Sequence, residues 1–271
     1  MKTLILASLF LVQSNVSLAQ TDTRLTTVAP TPTNPWTASL KTELGSTVES
    51  AKVAGGGGTD TQFRLSYKIT DAAQIGILVG GKYPIATENQ VQADQRMIAS
   101  DIALAGVYVA PGLLEADKTE VDGRIYLPTS DAAEASKENF VLRADLKLPY
   151  TLAPQRVATI TVSPRYADYQ VNPSRLEMVS QAKIAQGKAI VPYAAFNHRV
   201  SLLDTAGMNR KEEYVGPEVG VEVNPHRMIK LSLSLAQERN ILNPTSRNVR
   251  GDYALFDTNE TKYLLGAQIK L

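Results

Sequence analysis

The sequence contains no cysteine and only two histidines, His198 and His226. The absence of cysteine excludes a disulfide framework and a lipid anchor attached through a thiol. Two distant histidines also argue against a transition-metal site, because such sites are built mainly from clustered histidine and cysteine ligands. We therefore expect no metal and no cofactor.

The chain also has no excess of charge of one sign, since 28 basic residues balance 27 acidic ones and leave a net charge of +1. This balance argues against a nucleic-acid partner. Four consecutive glycines, Gly55 to Gly58, precede no helical pattern and no Lys-Ser/Thr pair, which excludes a phosphate-binding loop. We expect these glycines to lie in a loop, outside any packed element.

Long hydrophobic runs are missing as well. The apolar stretch from Leu4 to Val12 is too short to span a bilayer. It lies between a basic residue and small residues, which is typical of a secretory signal peptide. We predict a signal peptide over 1–19, cleaved near Ala19, and a flexible periplasmic segment over 20–35. Beyond it no window of 18 consecutive apolar residues occurs, so we predict no membrane helix.

The sequence has instead a period of two residues, clearest in its last eleven residues. Apolar residues there alternate with small or polar ones, and only Leu264 interrupts the pattern. The apolar positions are Tyr263, Leu265, Ala267, Ile269 and Leu271. This stretch resembles the C-terminal strand by which bacterial outer-membrane β-barrel proteins are recognised for assembly, although those strands usually end on an aromatic residue. An edge strand of a soluble β-protein is the alternative.

The same alternation recurs from residue 36 onward and predicts twelve strands. Their ranges are 36–46, 61–70, 74–83, 97–110, 118–127, 138–148, 156–167, 174–184, 188–202, 213–223, 227–238 and 261–271. We predict an all-β fold, a closed antiparallel transmembrane β-barrel of about 12 strands over 36–271, integral in the bacterial outer membrane. The resemblance reaches porin-like barrels as a class and no single family. The strand at 174–184 has the poorest apolar face, and the count falls to ten without it.

In a membrane barrel the apolar positions of a strand face the lipid, and the residues that alternate with them face the lumen. This rule predicts fourteen basic and seven acidic lumen residues. The basic set is Lys41, Arg64, Lys68, Lys82, Arg124, Arg143, Lys147, Arg165, Arg175, Lys183, Arg199, Lys230, Lys262 and Lys270. The acidic set is Glu43, Asp101, Asp122, Asp145, Glu177, Glu218 and Glu222. The excess of seven predicts a basic lumen in a nearly neutral chain.

Two functions fit a basic lumen. An open lumen favours passive diffusion of small hydrophilic solutes, anions among them. If arginines and carboxylates pair across the lumen, they block it, and the chain is a structural homo-oligomeric barrel that organises lipid or protein neighbours. A surface binder that works through the outer loops is a third class.

An enzyme is not expected. The segment from Asn197 to Ser201 superficially resembles the site of lipid-hydrolysing barrels. However, His198 and Ser201 fall on opposite faces of one strand, so a base and a nucleophile there could not reach hydrogen-bonding distance.

The outward face near 188–223 predicts an oligomer interface. Proline removes a ladder hydrogen bond and histidine facing lipid is costly, and both are easier to accommodate against protein. The predicted contacts are Pro192, Ala194, Phe196, His198 and Pro217. Bulges at the prolines and a hydrated rim position for the histidine would explain the same residues. The expected partners are therefore outer-membrane lipids, further copies of the chain and small hydrophilic solutes.

Overall fold

The computed structural model describes residues 35–47, 57–85, 98–170, 174–205, 208–240 and 261–271. These segments form β1 (Trp36–Thr47), β2 (Gly57–Lys68), β3 (Ala73–Ile85), β4 (Ile98–Ala99), β5 (Ile102–Pro111), β6 (Lys118–Leu127), α1 (Asp131–Ser136), β7 (Glu138–Ala153), β8 (Arg156–Tyr169), β9 (Arg175–Gln186), β10 (Ile190–Thr205), β11 (Met208–His226), β12 (Ile229–Gln237), β13 (Arg239–Asn240) and β14 (Thr261–Lys270). The predicted signal peptide and residues 20–34 lie outside the described residues.

Twelve long strands follow one another around a closed antiparallel barrel, as predicted. Each pairs with the preceding long strand, and β1 pairs with β14 from Ser39 opposite Lys270 to Thr47 opposite Lys262, which closes the ring. The two-residue strands β4 and β13 pair with β3 and β11. Closure removes the unpaired strand edges that an open sheet would expose.

The strand positions agree with the prediction, with differences mainly at the ends. The strand with the poorest apolar face forms as β9, which pairs with both β8 and β10. The expectation for the glycine run is wrong in part, because Gly57 and Gly58 begin β2 and lie opposite Ser46 and Gly45. Ladder hydrogen bonds use only the backbone, so glycine is accepted at a strand end even though it adds no packing.

Side chains alternate between the lumen and the outside along the long strands. Large apolar side chains such as Ile77 and Leu104 point outward and are exposed, whereas the adjacent inward residues Leu78 and Ala103 are buried. A broad apolar exterior is unfavourable in water and matches the hydrocarbon core of a bilayer. The exterior is therefore that of a membrane-spanning barrel.

The two ends of the barrel differ in their connections. Short turns at 69–72, 154–155 and 227–228 lie at one end, which we name the turn end. At the opposite loop end, the connection over 128–137 contains α1, whose N-cap is Ser130. Asp101, predicted as a lumen charge, precedes β5 and accepts hydrogen bonds from the backbone N–H groups of Thr129 and Ser130. Across the described residues, no helix has the length and apolar character needed to cross a membrane.

Aromatic side chains on the outside gather along part of the turn end. Trp36, Tyr67 and Tyr108 are all exposed there, and the rings of Trp36 and Tyr67 pack edge-on with centroids 5.0 Å apart. Such residues favour the membrane interface. Among the described residues of β9 to β12, Phe196 is the only outward aromatic. The chain has few aromatic residues, and at the turn end they form an aromatic girdle around only part of the barrel.

Candidate functional site: the charged lumen

Strand register places several lumen charges of β6, β7 and β8 level with one another. Arg124 lies opposite Arg143, which lies opposite Arg165, and Asp122 lies opposite Asp145. Like charges in this position repel. Opposite charges compensate this repulsion, because Arg124 lies 2.8 Å from Asp122 on its own strand and 3.2 Å from Asp145 on the neighbouring strand. Arg143 completes the chain of alternating charges at 2.8 Å from Asp145.

Arg64 joins this chain from β2. Its guanidinium donates two hydrogen bonds to Asp122, with N···O distances of 2.8 and 3.3 Å. The contact passes over β3 and β5, where the inward residues Gly76 and Ala105 lie opposite each other. These small residues leave room for the arginine to lie along the wall. We name Arg64, Asp122, Arg124, Arg143 and Asp145 the Asp122 cluster.

A second cluster, the Glu177 cluster, lies on β8, β9 and β10 and consists of Arg165, Arg175, Glu177 and Arg199. The three guanidinium groups approach the single carboxylate at 3.6, 3.5 and 3.7 Å. Arg199 also lies 2.7 Å from Glu238. The cluster therefore holds three cations around one buried anion.

Closer to the turn end, Glu222 accepts hydrogen bonds from two lysines. Lys183 lies at 2.6 Å and Lys230 at 2.9 Å from its carboxylate. The neighbouring Glu218 accepts a hydrogen bond of 2.7 Å from the hydroxyl of Tyr193. These acids of β11 thus bind groups from β9, β10 and β12.

Two further predicted lumen cations, Lys147 and Lys68, have local partners. Lys147 lies 2.6 Å from Glu120 on the neighbouring strand. Lys68 lies 2.5 Å from Asp71, which belongs to the turn between β2 and β3. The hydrogen bond from Lys68, together with its positive charge, lowers the pKa of the Asp71 carboxyl below its ordinary value.

The lumen carboxylates and cations differ in how far solvent reaches them. The side chains of Asp122, Asp145 and Glu177 are only 5, 6 and 8 % exposed. Several lumen cations are more open, with exposures of 40 % for Arg143, 47 % for Arg165, 43 % for Lys230 and 55 % for Lys41. The more exposed acids Glu43 and Glu238 each lie beside a lysine. The clusters thus hold their acids near the wall, and Arg143 and Arg165 are open to the lumen, whereas Arg64 and Arg124 are mostly covered.

Several lumen acids were not among the predicted residues, and Glu212, opposite the buried Ser201, is one of them. Glu120 shares the parity of Asp122, and Asp60 lies opposite Glu43, so a fuller parity count could have found both. Glu238 follows the end of β12, where alternation gives no signal. These additional carboxylates make the basic excess smaller than the predicted value of seven.

The predicted oligomer residues lie on the outer faces of β10 and β11. Pro192, Ala194 and Phe196 are exposed, and Phe196 lies opposite Pro217 on β11 and Ala182 on β9. They form one continuous outward patch with the small side chains of β9.

His198 lies on the same outer face, with its Nε2 atom 2.9 Å from Oε1 of Glu213. Ser201 is buried inside, where its hydroxyl accepts a hydrogen bond of 2.7 Å from Arg175. The two residues therefore lie on opposite sides of the wall. His226 occupies the turn end, where its Nδ1 accepts a hydrogen bond from the Met228 N–H. In the described part of the chain, no three histidines or carboxylates are grouped to hold a metal.

Comparison with known proteins places this fold among outer-membrane barrels. No protein-family model and no curated protein matches the chain. An outer membrane channel from Pseudomonas putida F1 is 11% identical, with a TM-score of 0.60 over 88% of this chain and 96% of that chain. Its likeness shows that the chain has the fold of a bacterial outer-membrane β-barrel, as predicted.

Two further solved structures resemble the chain more distantly. The KdgM porin in complex with disordered oligogalacturonate is 10% identical, with a TM-score of 0.46 over 85% of this chain and 98% of that chain. The trimer form of OmpT from Vibrio cholerae is 11% identical, with a TM-score of 0.40 over 87% of this chain and 98% of that chain.

Proposed function

We propose that the protein is a porin-like channel of the bacterial outer membrane, through which small hydrophilic solutes diffuse passively with a preference for anions. The observation that carries this proposal is the layering of charge in the lumen. Asp122, Asp145 and Glu177 are covered, whereas Arg143 and Arg165 beside them are open to solvent. A solute therefore meets guanidinium groups first, and the low-dielectric wall strengthens their potential.

The same exposures favour an open passage over a blocked one. Lys41 and Lys262 are about half exposed, although both project from the wall into the lumen. In a plugged barrel, partners from the opposite wall would cover these long side chains. The contact between Arg64 and Asp122 crosses only β3 and β5, so this ion pair follows the wall and does not span the lumen.

Reversal potentials in planar bilayers test this function. Under a KCl gradient we expect conducting channels whose reversal potential has the sign for chloride preference. Neutralising the open cations with Arg143→Gln and Arg165→Gln should move that potential toward zero, because fewer positive charges remain in the lumen. Asp71→Asn, in the exposed turn between β2 and β3, is the control and should leave it unchanged. Cation preference would contradict the proposal, and absence of channels would favour a structural barrel with a blocked lumen.

We also propose that residues 1–19 are removed near Ala19 and that 20–35 forms a flexible periplasmic segment. The turn end, which holds both ends of the barrel chain, then faces the periplasm. N-terminal sequencing of protein extracted from outer membranes should begin near Gln20. A chain that retains Met1 would contradict the cleavage.

We further propose that a second copy of the chain covers the outer face of β9 to β11. This face carries the charged partner Glu213 beside His198, and it has few of the aromatic residues that suit a lipid interface. The ring of Phe196 stands next to the small residues Ala182 and Ala194, so the face offers a ridge and a hollow to an identical copy.

Light scattering of the detergent-extracted protein tests the interface. We expect an oligomer that Ala194→Trp dissociates, because the new ring fills the hollow. The control Ala267→Trp, on the outer face of β14, should leave the oligomer intact. A parent protein that is only monomeric, or equal behaviour of the two variants, would refute this interface.

A further inference from the structure

The Glu177 cluster contains more donors than its carboxylate can satisfy. Arg165, Arg175 and Arg199 approach Glu177 at 3.6, 3.5 and 3.7 Å. Charge-assisted hydrogen bonds between such groups are usually about 2.7–2.9 Å long. The cluster thus keeps three cations close to one anion without a short bond to any of them.

The three arginines differ in their other partners. Arg175 donates its Nε–H to Ser201 at 2.7 Å, and Arg199 lies 2.7 Å from Glu238. The described residues give Arg165 no ion pair shorter than its contact with Glu177, and its side chain is 47 % exposed. The guanidinium of Arg165 is therefore the least committed donor in the cluster.

A recess lies beside these donors on the lumen surface. Arg165, Ala167, Tyr169, Arg175 and Glu177 line it. Ala167 is small and buried, so the space between the two arginines is bounded by the wall and opens toward the lumen. Arg143 lies opposite Arg165 and has Asp145 as its own partner at 2.8 Å, while Glu138 lies opposite Tyr169.

We propose that this recess is a seat for oxyanions, in which Arg165 and Arg175 bind a carboxylate or phosphate group of a passing solute. The planar guanidinium fork matches the two oxygens of such groups and has no comparable fit to a halide ion. The inference rests on the proposed channel and gives it a substrate class: small solutes that carry oxyanion groups. Weak binding at such a seat raises their concentration in the lumen while still allowing them to leave.

Inorganic phosphate is the probe that tests the seat. We expect phosphate to reduce the chloride current of single channels in a saturable way. Arg165→Gln with Arg175→Gln should weaken this block about tenfold, because at least one charge-assisted hydrogen bond is lost. The matched control is Lys41→Gln with Lys230→Gln, which removes the same charge elsewhere in the lumen. It should change the block by less than about twofold.

Calorimetry of phosphate with the detergent-solubilised protein separates this inference from the channel itself. Suppose that the parent protein binds phosphate but does not conduct, and that the arginine double variant does not bind phosphate. This result would contradict the channel and support the seat. Equal block and equal binding in both double variants would overturn the seat, since net charge alone would then explain them. An anion-selective channel that phosphate neither blocks nor binds would overturn the seat and leave the channel standing.

Discussion

The Asp122 cluster and the Glu177 cluster use the same residue types with different geometry. In the first, Arg64 and Arg124 each approach Asp122 to 2.8 Å. In the second, no arginine lies closer than 3.5 Å to Glu177, although three surround it. One carboxylate is tightly bonded, and the other is shared at longer range.

This difference indicates that the Asp122 cluster stabilises the barrel wall, whereas the Glu177 cluster can bind a solute. Arg64 and Arg124 are mostly covered, and Asp122 compensates their charges, so they contribute little to the potential at the lumen surface. Arg165 is about half exposed and retains unused donors. Buried, well-bonded pairs are expected to be sensitive to loss of one partner, while open cations are free to act on solutes.

The largest expected effect is on the stability of the Asp122 cluster. Asp122→Asn leaves Arg64 and Arg124 without their closest anion in a covered site. Removing one partner of a buried ion pair is costly, so we expect the free energy of unfolding to fall by about 3 kcal/mol. Denaturant unfolding of the detergent-refolded barrel, followed by tryptophan fluorescence of Trp36, measures it.

Glu177→Gln is the matched comparison for that variant. Its arginines are more exposed and have Ser201 and Glu238 as other partners, so we expect a loss below about 1 kcal/mol. Equal losses in the two variants would show that the clusters do not differ as their distances indicate.

The two clusters also show what alternation along the chain can and cannot predict. Parity alone places Arg64 and Asp122 on the lumen face, because it depends only on the period of two. It gives no indication that the two side chains meet, since they are 58 residues apart and the contact depends on strand register. Asp101 has the parity of a lumen residue, yet it lies before β5 and binds the backbone of a connection. Position along a strand and local packing decide such cases.

An intermediate effect on stability is expected at the small residues beneath the contact between Arg64 and Asp122. A Cβ at Gly76 would collide with the Leu65 carbonyl oxygen and crowd Ser66. We expect Gly76→Val to lower the free energy of unfolding by about 2 kcal/mol through overpacking, and to weaken the Arg64–Asp122 contact. Gly106→Ala is the control, because its nearest neighbour, the Gln74 carbonyl oxygen, lies 3.8 Å away. A tolerated Gly76→Val would indicate that the arginine does not need this space.

The smallest expected effect concerns the ion pair between Lys68 and Asp71 at the turn end, where Asp71 is exposed to solvent. Lys68 lowers the pKa of Asp71, so the pair acts only where this carboxyl is ionised. Any stabilisation is complete above the unfolded pKa of about 3.9 and is lost as pH falls through the lower folded pKa. Because Asp71 is 83 % exposed, solvent screens the attraction, and Asp71→Asn should leave unfolding unchanged at pH 7. If Asp71→Asn clearly lowered the free energy of unfolding at pH 7 but not at acid pH, the short distance would matter more than the exposure of the pair. That result would contradict the difference drawn between the two clusters.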